Sequence, residues 1–134
     1  MICVLLISKE RVFLSDLAAE LEINKINMAW AENGRKALSL LAGSDFDLVI
    51  TDELLEDMTG LELIEKLIAV NPMINCVAVS SLSPKEFHKA SEGLGILVQL
   101  PPRPDKKHTQ NMLDHLGKIL NLTKNNLVKK GENS

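Results

Sequence analysis

Residues 48–60 read L-V-I-T-D-E-L-L-E-D-M-T-G. An apolar run breaks off on Asp52, and two leucines, three further acids and Gly60 crowd behind it. A short run with no polar interruption is the pattern of a strand buried on both faces, as in a parallel sheet covered by helices. Asp52 then marks either the point where that strand surfaces or a reactive group held at its end.

The same pattern recurs along the chain. Apolar runs fall at Ile2–Ile7, Leu48–Ile50, Cys76–Val79 and Ile96–Val98, with a weaker one around Ile26–Ala31. Segments of helical period separate them. Val12, Leu17 and Leu21 share one face of a first helix, and Ala37, Leu40 and Leu41 one face of a second. Leu61, Ile64, Leu67 and Ile68 form the stripe of a third. A fourth opens at S-P-K-E, with Ser83 as N-cap, Pro84 at the first helical position and Glu86 at the third, the signature of a capping box. A fifth runs from about Asp105 to Leu122, striped by Met112, Leu113, Leu116, Ile119 and Leu120. Five strand-then-helix units predict an α/β domain over residues 1–122, with short loops at the carboxyl edge of the sheet. The polar stretch 123–134 is expected to fray as a tail.

Composition narrows the function. At 134 residues the chain suits one domain, and with one Trp, three Phe and no Tyr its core must be aliphatic. A net charge of -3 argues against nucleic-acid binding, which wants a basic surface. No apolar run approaches a membrane span, and M-I-C-V-L-L-I lacks the basic flank of a signal peptide. The expected setting is therefore the cytoplasm. Cys3 and Cys76 lie inside apolar runs without metal-ligand spacing, and read as buried free thiols.

Four segments should meet at the carboxyl edge: S-K-E (8–10), T-D-E (51–53), S-S-L-S (80–83) and L-P-P-R-P (100–104). No glycine-rich phosphate loop follows the first strand and there is no G-x-S-x-G elbow. His88, His108 and His115 fall on helices away from that edge and read as surface residues.

Over residues 1–122 this pattern resembles the receiver domain of bacterial response regulators. The resemblance rests on D-L-V-I-T-D (47–52), on Gly60 eight residues after Asp52, on L-E-L-I-E-K-L (61–67), and on V-A-V-S-S (77–81). It implies a flavodoxin-like, doubly wound sheet of five parallel strands in the order 2-1-3-4-5, with five helices in three layers. It puts Asp52 at the phosphoacceptor position and Ser80 at the switch position that senses the phosphoryl group. A histidine kinase or other signalling protein is the implied partner. Helix four, strand five and helix five, with Phe87, Leu94 and the L-P-P-R-P turn, form the implied output face.

The departures from the family pattern are specific. Where receivers carry a metal-binding pair of acids after the first strand, V-L-L-I-S-K-E places Ser8 and Lys9. Glu56 replaces a proline. The Lys of the fifth strand's Lys-Pro falls on Leu100 or Pro102, with Arg103 the nearest basic substitute, and I-L-V-Q-L offers no aromatic switch residue. What remains for a metal is Asp52, the Leu54 carbonyl and Glu10 or Glu53, so Mg²⁺ would be held only weakly and no cofactor is expected. Lys9 is expected to pair with Asp52 in the metal's place, the alternative being that it points to solvent. Trp30 is expected some distance from Asp52, and a cis peptide before Pro101 or Pro104 is expected to cost only about 0.5–1 kcal/mol.

Two readings stay open: a receiver in a two-component phosphorelay, and a pseudo-receiver that keeps the fold as a phosphorylation-independent interaction module. A phosphohydrolase would need a second acid where T-D-E-L has Leu54, so enzyme activity is not expected.

Overall fold

The structure is a computed structural model that describes residues 2–132, and the side chains of 2–120. Strands β1 (Cys3–Ile7), β2 (Asn27–Ala31), β3 (Leu48–Thr51), β4 (Cys76–Val79) and β5 (Val98–Leu100) alternate with helices α1 (Ser15–Ile23), α2 (Gly34–Gly43), α3 (Gly60–Val70), α4 (Pro84–Ala90) and α5 (Lys106–Glu132). All strand pairings are parallel and the sheet order is β2-β1-β3-β4-β5.

Strand alternation divides the core into two layers. Val4, Leu6, Leu48, Ile50, Val77 and Val79 face α1 and α5, where Leu14, Leu17, Leu21, Met112 and Leu116 close over them. Leu5, Ile7, Val49, Cys76 and Ala78 face the other way, against Ala37, Leu63, Ile64, Leu67 and Phe87. Because both faces of β1, β3 and β4 are covered, these strands read as unbroken apolar runs. Cys76 sits in this second layer, and burial pushes its thiol pKa up to about 12.

Register fixes what meets at the carboxyl edge. Ile7 pairs with both Ala31 and Thr51, Thr51 with Ala78, and Val79 with Leu100. One residue further on, Ser8 and Asp52 emerge side by side, and Ser80 emerges from β4 beyond them. Three helices start on side-chain caps: for α2 Asn33 Oδ1 accepts from the Lys36 amide, and for α3 and α4 Thr59–Glu62 and Ser83–Glu86 form reciprocal capping boxes. Each such cap stabilises a helix start by about 1 kcal/mol.

Four expectations are corrected here. Val12 is 56% exposed while Leu14 is buried, because residues Arg11–Leu14 form a 3₁₀ turn whose tighter winding breaks the 3.6-residue stripe. The fifth strand runs Val98–Leu100 rather than Ile96–Val98: the Leu97 amide bonds the Cys76 carbonyl, which sets the pairing Val77 with Val98. No described peptide bond is cis, so Pro101 and Pro104 both follow trans bonds. The backbone of α5 continues past Leu122 to Glu132, while the side chains of the expected tail 123–134 lie outside the described residues.

Candidate functional site

Asp52 ends β3 half-buried, its amide donating to the Ile7 carbonyl at 2.8 Å. Its Oδ1 accepts from the Glu53 amide at 2.8 Å, and its Oδ2 lies 3.0 Å from Ser8 Oγ. Ser8 is 2% exposed, and its hydroxyl also lies 2.8 Å from the Glu10 carbonyl oxygen. One hydroxyl proton is thus shared between a carboxylate and a carbonyl. Glu10 meets this corner through its backbone, its amide donating to Ser8 Oγ at 3.3 Å.

The loop that follows doubles back. Leu54 bridges Thr59 in antiparallel fashion, the Leu55 amide bonds the Met58 carbonyl, and the Gly60 amide bonds the Glu53 carbonyl at 2.9 Å. This return brings Gly60 against the carbonyl of Asp52, where a Cβ would sit 2.3 Å from the oxygen. The glycine eight residues after Asp52 therefore answers a steric demand. Asp57 anchors the loop sideways by accepting from the Gly34 and Arg35 amides, both at 2.9 Å, at the start of α2. Those bonds, the Gly34 one first, hold its carboxyl below the usual value of 3.8.

Beside Asp52 opens a hollow of about 260 Å³, bordered by Lys9, Phe13, Glu53, Leu54, Pro102 and Arg103. The expected Lys9–Asp52 ion pair is not formed: Lys9 borders the hollow exposed, and the Ser8 hydroxyl takes the near side of the carboxylate. Arg103 also borders it, with φ +53°, and its guanidinium lies 5.3 Å from the Phe13 ring centroid. Trp30 lines a separate cleft with Ser8 and Lys9, under the Arg11 guanidinium, 5.0 Å from the ring centroid. The register explains this, since Trp30 pairs with Leu6, two residues before Ser8.

Ser80 is 4% exposed and faces Glu53 rather than Asp52. Glu53 Oε1 accepts from Ser80 Oγ at 3.3 Å and from the Ser81 amide and hydroxyl at 2.9 Å each. Gln99, at the centre of β5, reaches the same turn and donates from Nε2 to the Leu82 carbonyl at 2.8 Å. These partnerships of Glu53, Gln99, Phe13 and Asp57 were missed from the sequence. Nothing in the acid run 53–57 separates Glu53 and Asp57, which have partners, from Glu56.

A hard divalent ion needs several converging oxygens. Here Asp52 shares Oδ2 with Ser8, and Glu53 is turned onto the β4–α4 turn. Among the described residues no three His, Cys, Asp or Glu side chains gather where they could hold a metal.

A doubly wound parallel sheet with a carboxylate at the end of its third strand and a glycine packed on that residue's own carbonyl is the frame of a known class of signalling domain. A family model for the response regulator receiver domain matches residues 4–101, and the chain belongs to that family. It is 30% identical over 96 residues to the uncharacterized transcriptional regulatory protein YesN of Bacillus subtilis (strain 168), covering 69% of this chain and 26% of that protein. It is also 30% identical over 97 residues to a response regulator receiver protein of Anaeromyxobacter sp. (strain Fw109-5), covering 72% of this chain and 41% of the other. The chain thus spans less than half the length of these two relatives. In fold it is similar to the chemotaxis response regulator CheY4 of Vibrio cholerae, with TM-score 0.78 at 18% identity over 87% of this chain and 98% of that one. Among the described residues no helix is long and apolar enough to cross a membrane.

Proposed function

We propose that this receiver domain works as a protein-interaction module in two-component signalling, with Asp52 taking up a phosphoryl group poorly or not at all. The chain carries no catalysis of its own in this reading. It engages a histidine kinase or another signalling protein in the cytoplasm through its surface, and neither nucleic acid nor membrane is a target.

The observation that carries the reading is the Ser8 hydroxyl on Asp52 Oδ2, at 3.0 Å. Moving a phosphoryl group onto a carboxylate brings negative charge against negative charge. Catalysis of such a transfer is mostly positioning and charge neutralisation. A neutral hydroxyl brings no charge, and Lys9 and Arg103 border the hollow without an ion pair to Asp52. The phosphorelay reading draws support from the half-buried Asp52 opening onto that same hollow.

Incubation with a small phosphodonor and Mg²⁺, followed by intact-mass measurement, separates the two. The expected spectrum contains the unmodified chain with at most a trace of adduct. A major phosphoryl adduct that disappears in Asp52→Asn would establish the phosphorelay reading instead.

A further inference from the structure

Glu53 has no role in the reading above, yet it is the best-bonded acid at the carboxyl edge. Its Oε1 gathers the Ser81 amide and the Ser81 hydroxyl at 2.9 Å and the Ser80 hydroxyl at 3.3 Å. The one proton of the buried Ser80 hydroxyl goes to Glu53, and its oxygen accepts from the Leu82 amide at 3.1 Å. From the far side Gln99 holds the Leu82 carbonyl at 2.8 Å. The turn between β4 and α4 is therefore pinned from β3 and from β5 at once.

Three donors converging on one oxygen, two hydroxyls and an amide, are the partners an oxyanion takes. The anion already there is the chain's own. The Glu53 amide is held by Asp52 Oδ1, at 2.8 Å, so the backbone that carries this carboxylate is fixed in place. A phosphate oxygen brought to the same donors would have to displace Glu53, and would meet its charge and that of Asp52.

We propose that Glu53 is an internal anion: its carboxylate fills the oxyanion cradle of Ser80 and Ser81 and keeps the β4–α4 turn in one anion-bound arrangement, whatever the state of Asp52. The inference rests on the phosphorylation-independent reading and supplies its mechanism, a switch element held by the chain itself. It also gives Gln99 a role, as the second brace of the turn.

Amide hydrogen exchange and NMR titration with inorganic phosphate test this on the full chain and on Glu53→Ala. In the parent, the Ser81 and Leu82 amides should exchange slowly and stay unmoved by phosphate. In Glu53→Ala both should exchange faster by about tenfold or more, the scale set by losing charge-assisted hydrogen bonds. The Ser81 amide should then shift saturably with phosphate. Glu53→Gln, which keeps the shape and removes the charge, should show the same changes at smaller amplitude and serves if the alanine variant does not fold. Unchanged exchange in both variants, or a saturable phosphate shift at Ser81 in the parent, overturns the proposal. A major phosphoryl adduct on the parent chain instead overturns the function proposed above, so the two failures are told apart.

Discussion

The hydroxyl of Ser8 lies 3.0 Å from Oδ2 of Asp52, across the gap between the ends of β1 and β3. The register Ile7 with Thr51 forces this meeting, because the next residue of each strand emerges at the same level. A neutral donor therefore stands where a second carboxylate would make a cation site.

Ser8→Asp combined with Lys9→Asp should create a divalent-cation site. Three carboxylates then face one another, which is costly without a cation and favourable with one. Trp30 lines the cleft beside Ser8 and Lys9, so its fluorescence is a local reporter. A titration with Mg²⁺ should change Trp30 emission in the double variant and leave the parent flat. Equal responses in both proteins would contradict the assignment of Ser8 and Lys9 as the cause.

Gly60→Ala should destabilise the domain without touching any functional side chain. Its Cβ would lie 2.3 Å from the Asp52 carbonyl oxygen and 3.0 Å from Thr51 Cγ2, so backbone must move. Overpacking of this kind costs about 1–3 kcal/mol. Urea unfolding should show a lower midpoint at unchanged slope. A midpoint equal to the parent's would mean that the loop yields freely at this contact.

Asp57→Asn should lose a stabilising contribution whose pH dependence can be read directly. The folded-state pKa of Asp57 is lowered from 3.8, chiefly by the Gly34 amide. Its contribution is thus present in full above the unfolded value and lost as pH falls through the lowered folded value. The stability gap between parent and variant should be constant from neutral pH down toward about 5 and shrink as acid protonates Asp57. Because the carboxylate is exposed, added salt should narrow the gap as well. A gap that widens in acid would exclude the carboxylate as its source.

Much of the architecture was legible because it depends on local pattern. Buried parallel strands must be apolar on both faces, and so β1, β3 and β4 announced themselves. The Ser83–Pro84–Glu86 cap did the same, since a capping box is closed within four residues. The 3₁₀ turn that exposes Val12 was not legible, because its tighter winding leaves no mark in an apolar stripe. Nor was the placement of β5, whose limits follow from where β4 offers partners.

By itself the sequence determined that a carboxylate ends the third strand, that no acid pair follows the first, and that glycine stands at position 60. Only the tertiary structure decided what each acid does. Asp52 and Glu53 are neighbours in the chain, yet one takes a hydroxyl from β1 and the other gathers three donors from the turn after β4. Asp57 and Glu56 are neighbours too, and only Asp57 finds the amides of α2. Hydrogen bonds of a few ångströms join residues that sheet order and register bring together, and neither can be read from the residues on each side of an acid.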